Sequence, residues 1–315
     1  MSTITLIISP FHTGLHAHRV GKGPHHILSQ NLLPQLTSLG LTIETHEIPR
    51  VNNFEGEIGR SFEVMRRTSV AVAEAVERGT WPLVLSGNCM ASVAVACGLE
   101  KAQVQGQKKE GKLGFIYFDS HDDLDSPDVN ENGYFDAMGL SMLRGESWKK
   151  LMSTVPGYDP SNPFDYRSNQ NRLLYVGLRD QSDLQRERVV EAGMDSIWGG
   201  NLNPRTDFGA ELEKILEKDP FGDAVVHLDL DVLDAGVYGK VNDYPSEGGL
   251  LEGDLVRSLE VVGKRVSLPK ALVVCQFDPD SGDGDLIAGI AIKGIVTLLK
   301  TLLERGVLKP KTPAP

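Results

Sequence analysis

Residues 113–125, which read Leu-Gly-Phe-Ile-Tyr-Phe-Asp-Ser-His-Asp-Asp-Leu-Asp, show the pattern that decides the fold of this chain. An apolar run without alternation ends directly in acidic residues and one histidine. Such a run is typical of a strand that is covered on both faces of a sheet. Similar runs occur at residues 5–9, 41–48, 82–87, 173–179, 224–229 and 271–278, with a weaker one near 196–198.

Amphipathic segments separate these runs. Apolar residues recur at helical spacing in residues 62–78, 181–192, 210–218, 252–264 and 286–304. We interpret Asp180 as the N-cap of the second of these helices. Strands that alternate with helices predict an α/β fold, in which helices cover both faces of a parallel sheet. Because no linker divides the chain, we predict one domain over residues 1–308 and a flexible tail over 309–315.

Composition and charge argue against several classes of function. The chain has 315 residues, of which 40% are hydrophobic and 24% charged, as in an ordinary globular protein. Its 43 acidic and 32 basic residues give a net charge of −11, which argues against binding to nucleic acid or to an anionic membrane. No stretch reaches the ~18 apolar residues of a membrane span. Three cysteines do not suggest a disulfide framework, so we expect a cytoplasmic protein.

Two of the predicted strands end in closely spaced metal-binding side chains. Asp119, His121 and Asp123 are spaced i, i+2 and i+4. Asp229 and Asp231 are spaced i and i+2, so each set shares one face of an extended chain. Ligands of open α/β sheets bind at the carboxyl ends of the strands, and carboxylates gathered there would repel one another unless cations neutralised them. The pattern therefore predicts a pair of divalent metal ions.

These two motifs resemble those of the ureohydrolases, the superfamily of arginase and agmatinase. Phe118-Asp119-Ser120-His121-Asp122-Asp123 is similar to the family motif D-A-H-x-D. His227-Leu228-Asp229-Leu230-Asp231-Val232-Leu233-Asp234 is similar to S-x-D-x-D-x-x-D-P, with His227 in place of Ser and Ala235 in place of Pro. Weaker similarities cover residues 20–24, 176–180 and 247–250, so the resemblance spans almost the whole chain.

The resemblance implies a three-layer α/β/α fold with an eight-stranded parallel sheet and two divalent metal ions, usually manganese. It implies that Asp119, Asp123 and Asp229 bind the more buried ion. The second ion would be bound by Asp119, His121, Asp229 and Asp231. A hydroxide held between the ions would attack a guanidine or amidine carbon of a small molecule and release urea or a related product. Members of the superfamily are often trimers or hexamers, so we expect a homo-oligomer.

The first departure from the family pattern concerns one metal ligand. Ser86-Gly87-Asn88-Cys89 corresponds to the family segment G-G-D-H, so Cys89 stands at the position of a metal-binding histidine. Cys89 is either a buried free cysteine that packs as a small apolar residue or a thiolate ligand. Because thiolate is softer than imidazole, a ligand role would shift the metal preference from Mn toward Zn, Fe or Co. The other cysteines, Cys97 and Cys275, are expected to lie in the core.

The second departure concerns proton transfer. Where the arginase-type loop has a proton-carrying histidine, this chain has Asp136, which is either a catalytic acid or the N-cap of a helix over residues 137–143. His12 and His16 are alternative proton carriers after the first strand. We count Asp123 among the catalytic residues as well as among the metal ligands.

The third departure concerns the substrate. Asp125 and Asn132 correspond to polar residues that hold the amino-acid end of the substrate in arginases, and an acid at position 125 disfavours a carboxylate there. Gln276 stands at the position of the glutamate that pairs with the guanidinium group, and Asp278 follows two residues later. An amide supplies hydrogen bonds without a compensating charge. A less basic group than guanidinium therefore becomes a plausible substrate.

Three functions remain open at this level. The first is a metal-dependent hydrolase of a guanidino or hydroxyguanidino group. The second is a catalytically silent protein of the same fold that binds or regulates. The third is a metal hydrolase of a formimino, ureido or amide compound. Metal content distinguishes the second from the others, and the identity of the product distinguishes the first from the third.

Overall fold

All of the apolar runs form strands of one sheet in the computed structural model, which describes residues 3–52, 54–104, 113–164 and 172–310. The strands in chain order are β1 (Thr3–Ser9), the hairpin strands β2 (Phe11–His12) and β3 (Leu15–His16), β4 (Thr42–Glu47), β5 (Trp81–Ser86), β6 (Gly114–Phe118), β7 (Leu173–Leu178), β8 (Asp195–Trp198), β9 (Asp223–Asp229) and β10 (Leu268–Cys275). Apart from the hairpin, neighbouring strands are parallel. The predicted eight-stranded α/β fold is therefore confirmed.

The helices follow the strands as the sequence predicted, with additions. They are α1 (Gly23–Ser29), α2 (Leu32–Ser38), α3 (Glu57–Glu77), α4 (Ala91–Val104), α5 (Gly139–Leu143), α6 (Lys149–Met152), α7 (Asp183–Glu191), α8 (Phe208–Lys218), α9 (Ala235–Tyr238), α10 (Glu252–Arg265) and α11 (Gly284–Glu304). The helical spacing did not predict α1 and α2, which are short. The interpretation of Asp180 as an N-cap is wrong, because Ser182 caps α7 through a capping box with Gln185.

Two hydrophobic clusters lie on opposite faces of the sheet. In β5, Leu83 and Leu85 pack in the cluster that α1, α2, α8, α10 and α11 cover, whereas Val84 packs in the other cluster with α3 and α4. Alternate residues of one strand therefore face different helical layers, which is why the central strands show no alternation in the sequence. The edge strand β4 is an exception, since most of its residues are exposed.

The order of the strands places the functional site. The sheet runs β4-β1-β5-β10-β9-β6-β7-β8, so the last two strands of the chain fill the gap between β5 and β6. The carboxyl ends of β5, β10, β9 and β6 are therefore adjacent at the centre of the sheet. Ligands of open parallel sheets bind at this edge.

The prediction from the sequence that no stretch is apolar enough to span a membrane is wrong for α11, which passes by length and composition, although 61% of its most apolar window is buried inside the protein. This burial is what a core helix shows, and α11 belongs to one of the two hydrophobic clusters. The predicted tail at residues 309–315 lies mostly outside the described residues, because 311–315 are not described.

Candidate metal centre and substrate cavity

Four neighbouring strand ends lead into chemically active side chains. The residues at these ends are Cys89, Gln276, Asp229 and Asp119. The turn after β5 passes so close to the hairpin that a Cβ on Gly87 would lie 2.0 Å from the carbonyl oxygen of Phe11. Only glycine fits at this point. The turn sets Cys89 just before α4, in reach of the other strand ends.

Asp119 is fully buried at the centre of this group. Its Oδ1 accepts the backbone N–H of His121 at 2.7 Å. Within the described part of the chain its Oδ2 has no hydrogen-bond partner, although Nε2 of His227 lies 3.5 Å away. A buried carboxylate oxygen without a partner is costly. This oxygen therefore indicates a position for a cation.

Three further side chains lie close to the Asp119 carboxylate. One ligand atom from each of Cys89, Asp123 and His227 lies within 4.8 Å of the others and of an Asp119 oxygen. The hydroxyl of Tyr117 donates to Asp123 at 2.5 Å. Asp123 has a φ of 51°, a left-handed conformation that is uncommon for residues other than glycine. Such a conformation persists only where its surroundings impose it, often at functional sites.

Asp229 lies between this group and a second one. The Cys89 thiol donates to Oδ2 of Asp229 at 2.9 Å, and the N–H of Asp231 donates to Oδ1 at 2.7 Å. Burial raises the pKa of the Cys89 thiol well above its usual value, so the thiol is protonated. A bound metal ion would replace that proton.

The second group of ligand atoms comes from Asp119, His121 and Asp231, again within 4.8 Å of one another. Nδ1 of His121 lies 3.2 Å from Oδ2 of Asp231. The Ser120 hydroxyl and the Asn242 amide donate to Asp231 at 2.8 and 3.0 Å. Burial acts to raise the pKa of Asp231, but the charge of His121 and these hydrogen bonds hold it below its usual value.

The electrostatics of both groups favour a cation. Burial raises the pKa of Asp123 and of Asp229 well above the usual value for aspartate, and neighbouring carboxylates add to the effect. Carboxylate, imidazole and thiolate are all ligands of divalent transition metals. Together with the unpartnered oxygen of Asp119, this donor set fits metal ions.

A cavity of about 200 Å³ opens onto the two groups. Every predicted site residue lines it except Asp119, which is fully buried, and His12 and Asp278. The predicted residues that line it are Cys89, His121, Asp123, Asp125, Asn132, Asp136, Asp229, Asp231 and Gln276. The structure thus brings together nearly all of the side chains that the sequence singled out.

Asp136 connects the cavity wall to the turn before α4. Its carboxylate accepts the backbone N–H groups of Cys89 and Met90, each at 2.9 Å, and the side-chain amide of Asn88 at 2.7 Å. Burial raises the pKa of Asp136 to about 6. Its interpretation as an N-cap of its own helix is wrong, because it lies inside the 3₁₀ turn Phe135–Met138 and binds a different segment.

Gln276 is fixed against Asp136. Its Nε2 donates to the Asp136 carboxylate at 2.5 Å and to the Tyr134 hydroxyl at 3.4 Å. Gln276 has a φ of 57°, the second left-handed residue of the site. Asp278 lies outside the cavity, where its backbone N–H donates to Val241. A register shift that would place Asp278 in the role of Gln276 is therefore not observed.

The loop residues at the cavity mouth are already engaged within the protein. Asp125 pairs with the guanidinium of Arg188 at 3.1 Å and accepts the amide of Asn130 at 2.7 Å. Asn132 is exposed, and its side-chain oxygen accepts the N–H of Tyr134 at 2.9 Å. Substrate contact by Asp125 and Asn132 stays a prediction.

The histidines after β1 lie beyond the cavity lining. The His12 ring is 6.3 Å from the ring of Tyr134, which does line the cavity. Burial, and the positive charges of Arg19 and His18, lower the pKa of His12 to about 4. His12 is therefore neutral at neutral pH and is a weak proton acceptor, which argues against a role in proton transfer. His16 pairs with Glu47 on the protein surface at 3.5 Å.

Several residues of the site were not assigned to it from the sequence. His227 was noted only as a departure from serine, and Cys275 as a core residue, yet both lie within the cluster of ligand atoms. The i, i+2 spacing of His227 and Asp229 was a signal that could have placed the histidine. Asp180, expected to cap a helix, lies 3.3 Å from Nε2 of His121. Nothing in the sequence indicated Asn242.

Comparisons with known proteins identify the family and the fold. The sequence matches the Arginase family over residues 2–275. The arginase of Bacillus subtilis is 25% identical over 262 residues, which cover 80% of this chain and 81% of that protein. A crystal structure of that arginase superposes with a TM-score of 0.77 at 22% identity, covering 94% of this chain and 98% of the other. The formimidoylglutamase structure from the same organism gives a TM-score of 0.68 at 15% identity, covering 96% of this chain and 87% of the other.

The fold and the acidic motifs at its strand ends thus define a ureohydrolase-type α/β protein. The chain belongs to the arginase family, and with it to the metal-dependent hydrolases of C–N bonds other than peptide bonds.

Proposed function

We propose that this protein hydrolyses a C–N bond of a guanidino or hydroxyguanidino compound, releasing urea or a related product, and that it does so with two divalent metal ions. The observation that carries the proposal is the pair of ligand groups that share Asp119 beside a 200 Å³ cavity. When bound, two divalent ions supply Lewis acidity and a hydroxide nucleophile at neutral pH. Manganese follows from the family resemblance, whereas Cys89 as a thiolate ligand would favour Zn, Fe or Co.

The residues of the cavity wall indicate how the substrate is oriented. Both N–H groups of the Gln276 amide are directed to Asp136 and Tyr134, so this amide offers its oxygen to a ligand. We infer that the oxygen accepts an N–H of the substrate. The carboxylate of Asp136, in contact with Gln276, supplies the negative charge that a cationic substrate requires.

A second candidate is a less basic substrate with a formimino, ureido or amide group. The amide at position 276 favours it, because an amide discriminates less strongly for a cation than a carboxylate does. Asp136 already accepts several hydrogen bonds, which reduces the charge that it presents to the cavity. The two candidates differ in their products, since only the first gives urea or hydroxyurea.

The test is a product assay on protein loaded separately with Mn²⁺, Zn²⁺, Fe²⁺ or Co²⁺. Guanidino, hydroxyguanidino, formimino and ureido compounds are supplied, and urea, formamide and ammonia are measured. We expect turnover that is lost in Asp119→Asn and kept in Asp128→Asn, whose carboxylate is exposed on the loop at the cavity mouth. If metal-loaded protein binds two ions yet turns over no member of the panel, the silent binding protein becomes the better account.

A further inference from the structure

We propose that His227 is a ligand of the more buried metal ion, together with Asp119 and Asp123, two of the three carboxylates that the family resemblance implies for it. The four side chains of this site are Cys89, Asp119, Asp123 and His227. The inference rests on the proposed two-ion function and names how this chain completes one of the two sites.

The position of His227 follows from the strand geometry. His227 and Asp229 are two residues apart on β9, so their side chains emerge on the same face of the sheet. That face is covered by α4, which also begins just after Cys89. A histidine lost from the turn before α4 can thus be replaced by one from the adjacent part of the sheet.

The imidazole of His227 is held in the orientation that a metal ligand needs. Its Nδ1 is 2.7 Å from the Ser92 hydroxyl, and its ring stacks on Tyr117 with centroids 3.7 Å apart and planes at 6°. Metal-binding histidines usually engage their second nitrogen in this way, which fixes the tautomer and the ring direction. When Nδ1 donates its proton to the Ser92 hydroxyl oxygen, the lone pair of Nε2 is available to a metal ion.

The atom that Nε2 faces is the unpartnered one. Nε2 of His227 lies 3.5 Å from Oδ2 of Asp119, and both side chains are 0% exposed. In the described part of the chain that oxygen accepts no hydrogen bond, from His227 or from any other donor. The 3.5 Å separation of Nε2 and Oδ2 is long for a direct hydrogen bond, and it leaves both atoms facing a position that a shared cation could occupy.

Cys275 is an alternative to Cys89 as the sulfur ligand of this site. Its Sγ lies 3.8 Å from both Cys89 and His227, so a site could also be drawn with Asp229 and Cys275. The Cys275 thiol also donates to the carbonyl oxygen of Leu228, and Oδ2 of Asp229 already accepts the Cys89 thiol. Only the set with Asp119 contains a carboxylate oxygen that lacks a partner, which favours it. One sulfur, one nitrogen and two carboxylates suit Zn²⁺ or Co²⁺.

The test is metal titration of the full-length protein after removal of metal with a chelator. Co²⁺ binding is followed by its visible spectrum and its thiolate charge-transfer band, and Zn²⁺ affinity by competition with a chromophoric chelator. For His227→Ser we expect weakened affinity for one of the two ions and an altered Co²⁺ spectrum. This loss should exceed the roughly 10- to 100-fold expected for Ser92→Ala, which removes only the positioning hydrogen bond.

The thiol variants identify the sulfur ligand. Cys89→Ser should abolish the charge-transfer band, and Cys275→Ser should keep it. His227→Gln, checked for native circular dichroism, gives a second readout in case the serine variant does not fold. His46→Ser, on the exposed edge strand, is the matched control and should bind like the wild type.

Each contrary result points to a different error. If His227→Ser and His227→Gln bind two ions with wild-type affinity and spectrum, the ligand role of His227 is wrong and the two-ion function stands. If Cys275→Ser loses the charge-transfer band, the site with Cys275 is correct instead. If the wild type binds neither Co²⁺ nor Zn²⁺ nor Mn²⁺, both the inference and the proposed function fail.

Discussion

Substitution of Asp136 by asparagine distinguishes a structural role of this carboxylate from a catalytic one. Its carboxylate joins the turn before α4 to the cavity wall through four donors, from Asn88, Cys89, Met90 and Gln276. In Asp136→Asn the amide oxygen can replace Oδ2 and keep three of these contacts, but the amide nitrogen then faces the N–H of Met90. The substitution therefore leaves one buried N–H without an acceptor.

Two contributions determine how much Asp136→Asn changes the free energy of unfolding. Loss of the charge itself costs little, since burial raises the pKa of Asp136 to about 6, which shows that desolvation already offsets the gain from the donors. The buried N–H of Met90 without a partner costs about 1–3 kcal/mol. We therefore expect Asp136→Asn to lower the free energy of unfolding by about 2 kcal/mol.

The assay is urea unfolding of metal-free protein, followed by circular dichroism. The matched control Asp128→Asn lies on the same loop with an exposed carboxylate, and it should stay within about 0.5 kcal/mol of the wild type. If Asp136→Asn unfolds like the control, our account of Asp136 as a structural link is refuted, and any loss of turnover then comes from its charge or its proton in the cavity.

Three further predictions concern residues around the site. His12, with a pKa of about 4 against 6.5 unfolded, binds its proton more weakly in the native state, so stability falls as pH drops through this range. After a discount for the partial exposure of His12, the free energy of unfolding of the wild type should fall by about 1 kcal/mol more than that of His12→Gln between pH 7 and 5. Urea titrations at the two pH values measure this difference, and equal losses in the two proteins would contradict the prediction. Arg179 donates to four backbone carbonyl oxygens, including that of Asp231, so Arg179→Lys should cost about 2 kcal/mol in the same assay, whereas an unchanged midpoint would exclude this bracing role. Gln276→Glu removes the N–H that Asp136 accepts at 2.5 Å and sets two buried carboxylates side by side, so the free energy of unfolding at pH 7 should fall by about 1–3 kcal/mol, and an unchanged urea midpoint would contradict this contact.

The sequence predicted the sheet well because burial on both faces leaves a strong local signal. Runs such as 113–119 and 224–229 contain almost only apolar residues up to the point where each strand ends. The short helices α1 and α2 were missed, since seven residues give too few turns for helical spacing to show. The edge strand β4 was predicted as one of the apolar runs, at residues 41–48, although most of its residues are exposed.

The sequence predicted those site residues that a local spacing pattern marks. It missed the contacts between residues that are far apart in the chain. The i, i+2 spacing at Asp119 and Asp229 places carboxylates on one face, and the structure brings them together. The bond of Asp136 to the turn before α4 joins residues nearly fifty positions apart, which no local pattern records. The same holds for the approach of His227 to Asp119 from a neighbouring strand.

The most direct test of the central claim is the metal content of the purified protein. Elemental analysis is done on the wild type and on Asp119→Asn, each from cultures supplemented with Mn, Zn, Fe or Co. The account predicts about two divalent ions per wild-type chain in at least one supplement, and fewer in Asp119→Asn, because both ligand groups share this carboxylate. Absence of bound metal under every supplement, or equal content in the two proteins, would contradict it.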